Sequence, residues 1–133
     1  MSFFQNTCKP DGLGGKLMVK MMNYGHRKLS EWGFAQLDLR DNVHILDAGC
    51  GGGANIALWL KKCPHSCVTG IDYSAVSVNE SQKLNESAIK AHRCEILQAS
   101  VAQLPFPDAQ FSYVSAFETI YFWPDLVSCF REI

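Results

Sequence analysis

Short apolar runs alternate along the chain with segments whose apolar positions recur at helical spacing. Val43–Ala48 is a short apolar run that reaches Asp47 and then glycines, the pattern of a buried strand feeding a tight turn. Cys67–Ile71, Cys94–Gln98 and Phe111–Phe117 read as three further strands. Between the first two, Asn55–Lys62 is helical and is stopped by Pro64. Ser74 is placed to cap a helix running to about Ala91, with Val76, Leu84, Ala88 and Ile89 partly periodic. Upstream, residues 16–37 read as helix broken at Gly25 and Gly33, with Leu17, Met18, Met21, Met22, Leu29, Trp32 and Leu37 as its apolar positions. Residues 1–15 are Gly-rich and polar, the pattern of a loosely docked arm. Pro105–Gln110 reads as a turn, and Trp123–Pro124 opens a last helix, since proline suits the first helical position. Strands alternating with helices imply crossover connections, a parallel sheet and the α/β class.

Composition narrows the class. The 133 residues suffice for one domain, and 47% hydrophobic with 19% charged residues excludes a disordered chain or a coiled coil. Twelve Lys and Arg against thirteen Asp and Glu leave no basic excess, so no nucleic-acid partner is expected. No apolar run approaches a membrane span, and the N-terminus lacks the layout of a secretory signal. The six cysteines therefore read as reduced thiols in a cytoplasmic protein. Lys16, Lys20, Arg27 and Lys28 read as a solvated face, and no membrane partner is expected. Cys63-Pro64-His65-Ser66-Cys67 offers too few ligands for zinc, so no metal is expected.

The chemistry concentrates after the first strand. Glycines at 49, 51 and 53 let the backbone turn sharply and approach a ligand without Cβ interference. The following helix adds unpaired N–H groups at the same place. Residues 49–54 also satisfy G-x-G-x-x-A, so a nicotinamide dinucleotide is one reading. Asp72 follows the second strand about 20 residues after the loop, where a carboxylate takes ribose hydroxyls in either reading. Asp47 separates them. It sits where a dinucleotide would place its pyrophosphate, and like charges at close range repel. A ligand with an ammonium and a sulfonium near the loop turns that carboxylate into an asset.

Asp47-Ala48-Gly49-Cys50-Gly51-Gly52-Gly53, Gly70-Ile71-Asp72-Tyr73-Ser74, Leu104-Pro105-Phe106 and the strand from Phe111 resemble, in this order, class I S-adenosylmethionine-dependent methyltransferases, closest to the small-molecule type 11 enzymes. Met22-Asn23-Tyr24-Gly25-His26 also resembles the helix before the glycine loop in some of these enzymes. The resemblance implies a Rossmann-like three-layer sandwich, with strand order 3-2-1-4 in the part present and N-terminal helices. It implies S-adenosylmethionine as cofactor, with Asp47, Gly49, Gly51 and Gly53 holding the methionyl end and Ala48 and Cys50 in the same loop. Asp72 takes the ribose, Tyr73 packs on adenine, Ser100 and Val101 reach the adenine edge, and Phe117 lies beside the sulfonium. Ser100 stands where the family usually carries Asp, and Phe111-Ser112 where it often has Phe-Asp. The family would continue past Arg131-Glu132-Ile133 into three more strands.

Methyl transfer to a small organic acceptor follows, with His26, Glu118 and Tyr121 as unranked base candidates for an acceptor that must lose a proton. A nicotinamide-dependent oxidoreductase and a non-catalytic cofactor-binding fragment remain as alternatives. Residues 1–40 are expected to form an arm with helices, and 41–133 the cofactor-binding domain. Strand 111–117 is expected to have a free edge, a template for self-association.

Overall fold

A computed structural model describes residues 9–133. Four strands, β1 (His44–Ala48), β2 (Cys67–Asp72), β3 (Cys94–Gln98) and β4 (Tyr113–Ser115), form one sheet in the order β3-β2-β1-β4. Every pairing is parallel, from Ile45 against Val68 to Val68 against Cys94 and Ile45 against Tyr113. The helices are α1 (Gly12–Gly25), α2 (Arg27–Ala35), α3 (Ala54–Lys62), α4 (Ala75–Leu84), α5 (Glu86–Lys90) and α6 (Leu126–Glu132), with a 3₁₀ turn at Ile120–Phe122.

Alternation along each strand sends side chains to two cores, one on each face of the sheet. Ile45, Val68 and Ile96 pack with Phe34 of α2, Ile56 and Trp59 of α3 and Val78 of α4. Leu46, Ala48 and Ile71 pack with Val101 and with Cys129 of α6. This is the α/β architecture and strand order that the sequence implied.

Several boundaries differ from expectation, each for a local reason. The arm expected over 1–15 is helical from Gly12, because Asp11 caps α1 by accepting the Gly12 N–H at 2.9 Å; residues 1–8 lie outside the described residues. Gly33 does not break α2. It allows close approach instead, since a Cβ there would stand 3.2 Å from the Phe117 ring. The helix expected from Ser74 to Ala91 divides at Asn85 into α4 and α5. The strand expected over 111–117 pairs only at Tyr113–Ser115, since Phe117 leaves the sheet to stack on Phe34 with ring centroids 5.2 Å apart. The last helix opens at Leu126 rather than Pro124, because Asp125 accepts the Val127 N–H at 3.2 Å and the Ser128 hydroxyl at 2.6 Å.

Candidate functional site

The loop from β1 to α3 is fixed at every glycine. The N–H groups of Gly49 and Cys50 both donate to the Ile71 carbonyl at 2.8 Å, which folds the loop back over the end of β2. Gly49, Gly51 and Gly53 have positive φ (78°, 52° and 84°), where a side chain would be strained. A Cβ at Gly49 would strike the Thr119 side chain, and one at Gly53 would strike Ser81 and Asn85. At Gly51 a Cβ would meet nothing within 4 Å. Gly51 also lines the cavity that opens over the loop.

Three side chains tie the loop down. Asp72 Oδ2 accepts the Gly51 N–H at 2.9 Å, while its Oδ1 accepts the Ser74 N–H at 2.9 Å. Asn23 of α1 donates from Nδ2 to the Gly52 carbonyl at 3.1 Å. Asn85 donates to the Gly53 carbonyl at 3.1 Å and to the Ser81 carbonyl at 3.0 Å, the bond for which the helix divides there. Ser74 accepts the Ser77 N–H at the start of α4 and donates its hydroxyl to the Pro10 carbonyl at 2.6 Å, pinning the segment before α1.

The two acids differ in partners. Asp47 is 1% exposed at the end of β1. Its Oδ1 accepts the Ser115 hydroxyl at 2.7 Å, and that hydroxyl in turn accepts the Trp59 indole N–H at 2.9 Å. Oδ2 is buried without a hydrogen-bond partner among the described residues. Burial, with a smaller contribution from the Asp72 charge, pushes the Asp47 carboxyl up to about 7 against the opposing Ser115 bond. Burial also raises Asp72, opposed by the Ser74 and Gly51 N–H groups. Burial pushes the Cys50 thiol well up, so it is no nucleophile.

A cavity of about 350 Å³ opens over this loop. Gly49, Cys50, Gly51 and Asp72 form its floor, Val19, Asn23 and His26 come from the helical cover, and Phe117, Glu118 and Thr119 close the third side. His26 is the joint between α1 and α2: its N–H closes one helix on Met22 O and its carbonyl receives the Ser30 N–H of the next, both at 3.0 Å. Its Nδ1 lies 2.9 Å from Glu118 Oε2. This is a close contact outside hydrogen-bond geometry, since Oε2 accepts no hydrogen bond among the described residues. Glu118 is held at φ 51°, a strained backbone for a non-glycine residue.

Seven residues singled out from the sequence thus line one cavity: His26, Gly49, Cys50, Gly51, Asp72, Phe117 and Glu118. Asp47, Ala48 and Gly53 lie behind the loop without lining it. Tyr73, Ser100 and Val101 also lie outside the cavity. Tyr73 carries the Lys9 ammonium 5.5 Å from its ring centroid, Ser100 accepts the Ala102 N–H at 3.2 Å, and Val101 is core. Tyr121 is 62% exposed and packs on Phe122, which takes the cavity position instead.

Residues 45–133 match the methyltransferase domain family. The chain belongs to this family. Among similar proteins, the methyltransferase domain is 31% identical over 98 residues to cycloartenol-C-24-methyltransferase 1 of Oryza sativa subsp. japonica, covering 74% of this chain and 28% of that protein. It is 32% identical over 130 residues to sterol 4-C-methyltransferase strm-1 of Caenorhabditis elegans, covering 93% of this chain and 35% of the relative. The chain therefore spans about a third of the length of these curated relatives. In fold, it superposes with a TM-score of 0.84 on a chain from the complex of the Haloferax volcanii Trm112 methyltransferase activator with a methyltransferase, at 18% identity, over 100% of this chain and 54% of that one.

Sequence reasoning missed three residues that shape the methyltransferase domain's site, Ser115, Thr119 and Asn85, none of which carries a motif signal on its own, and gave Gly52 no role beyond its place in the glycine motif. Asn23 was within the segment resembling the helix before the glycine loop, but its bond to Gly52 needs the tertiary fold.

Proposed function

We propose that this domain binds S-adenosylmethionine over the glycine loop and transfers its methyl group to a small organic acceptor. The observation that carries the reading is the Gly51–Asp72 bond beside an open Cβ direction, which sets a carboxylate and a bare backbone edge side by side in the cavity. The orphaned Asp47 oxygen favours a cationic group over the loop. Buried Asp47 at the end of β1 argues against a pyrophosphate there, and so against the nicotinamide alternative.

In this reading Gly49, Cys50 and Gly51 hold the methionyl end directly, and Asp47, Ala48 and Gly53 act on it from behind the loop. Asp72 takes the ribose, Tyr73, Ser100 and Val101 border the adenine, and Phe117 lies beside the sulfonium. The cofactor supplies an electrophilic methyl on a good leaving group. The chain's own work is alignment and exclusion of water, which together can remove several kcal/mol of barrier. For an acceptor that loses a proton, His26 is the base and Glu118 its positioning partner, because both line the cavity 2.9 Å apart while Tyr121 does not. The relatives named for sterol methylation fit a small-molecule acceptor.

We further read residues 41–133 as the cofactor-binding unit and 1–40 as its cover, in a cytoplasmic protein. Five free cysteines among the described residues support a reducing compartment, and no helix there is long and apolar enough to cross a membrane. Self-association would run through the edge of β4 away from β1, at 113–115 instead of the whole 111–117.

Titration calorimetry with S-adenosylhomocysteine and NAD tests the central reading. Saturable binding of the first and none of the second is expected; the reverse preference would overturn it. Turnover against a mixed acceptor panel separates an enzyme from a binding fragment.

A further inference from the structure

The outward side of α1 is as apolar as its inward side. Val19, 2% exposed, points inward to the glycine loop and cavity with Asn23. On the opposite side Leu13, Leu17, Met21 and Tyr24 recur at spacings of four and three, which aligns them in one stripe. Their exposures are 84%, 63%, 57% and 86%. A helix with an exposed apolar stripe opposite its buried face has a second environment to fill.

Charge indicates which environment. α1 contains Lys16 and Lys20 and no acid, and both lysines flank the stripe on one side, each a residue before Leu17 or Met21. From Lys9 to Leu37 there are five basic residues against two acidic ones, although the whole chain carries −1. A second copy of the same face would set lysine against lysine, which disfavours self-pairing. Both ammonium groups lie near enough to Glu80 of α4 to help Lys83 hold that carboxyl below its usual range; lysine stems can lie along apolar surface with the ammonium at its edge, as in a helix lying in a lipid interface.

We propose that the Leu13-Leu17-Met21-Tyr24 face of α1 docks on a membrane surface bearing anionic lipids, with Lys16 and Lys20 at the headgroups. This revises the expectation of a merely solvated basic face and no membrane partner. It does not depend on the methyl-transfer reading, because the face points away from the cavity.

The test is co-sedimentation of the full chain with vesicles of phosphatidylcholine alone or with about 30 mol% phosphatidylserine. Pelleting is expected to be at least about fivefold greater on the anionic vesicles, and that excess should shrink at about 0.5 M salt. Leu17→Gln with Met21→Gln should abolish pelleting on both compositions, with an unchanged circular dichroism spectrum because both sites are exposed. Lys16→Gln with Lys20→Gln should remove only the anionic preference. Failure of the unsubstituted chain to pellet would overturn the proposal, as would pelleting that the Leu17 and Met21 changes leave intact. A dimer dissolved by those changes, without vesicle binding, would assign the face to a second copy and also overturn it.

Discussion

Two acids end neighbouring strands, and the fold treats them differently. Asp72 at the end of β2 has both oxygens satisfied by backbone N–H groups and faces the cavity. Asp47 at the end of β1 has one oxygen satisfied by Ser115, the other by nothing described, and lies behind the loop. Asp72 is therefore a structural tie as well as a ligand candidate. Asp47 is a buried charge whose cost the free domain bears, and a cationic ligand would relieve it. Position in the sequence located both acids, but only the hydrogen bonds separate their roles.

The largest effect should come from Asp47. Its folded-state pKa of about 7 lies above the unfolded carboxyl value, so its contribution to stability is complete below about pH 4 and is lost as pH rises towards 7. Asp47→Asn should remove that slope, leaving the variant more stable above pH 7 by on the order of 4 kcal/mol while S-adenosylhomocysteine binds more weakly. Urea unfolding of both proteins at several pH values checks this; parallel stability curves would break the contrast.

Asp72→Asn comes next. The amide keeps the size but turns an NH2 donor towards a backbone N–H in place of an accepting oxygen, so a loss of about 1–3 kcal/mol in stability is expected alongside at least tenfold weaker S-adenosylhomocysteine binding. Unchanged stability in the same urea assay would mean that the two N–H bonds are not what holds the loop. Gly51→Ala should cost about 1 kcal/mol for its positive φ, yet weaken binding more than that strain explains, because the new methyl stands on a residue that lines the cavity. Calorimetry beside thermal melting separates the two losses. Ser100→Asp should do least. An Asp there can still accept the Ala102 N–H, so binding should hold or tighten by no more than a few fold. A large loss would show that the adenine edge lies elsewhere.

The strands and the glycine loop were readable because buried parallel strands and positive-φ glycines leave strong local patterns, whereas the strand order followed from the resemblance to methyltransferases. The helix break at Asn85 was not. Its cause is a bond to Gly53, 32 residues away, which no window of sequence contains. The 111–117 strand was overread for a similar reason: Phe111 and Phe117 are apolar, but they serve ring contacts with Phe106 and Phe34 outside the ladder. Tyr121 stands in an aromatic run, and the 3₁₀ turn puts Phe122, not Tyr121, on the cavity.

The glycine loop is held from three directions, by Asn23, Asp72 and Asn85. A segment fixed in this way has little conformational freedom left to surrender when a ligand arrives. Its ordering entropy has already been lost during folding, so association should need no loop rearrangement and proceed in a single kinetic phase. The helical cover shares in this, since Asn23 and the Pro10 carbonyl tie it to Gly52 and Ser74.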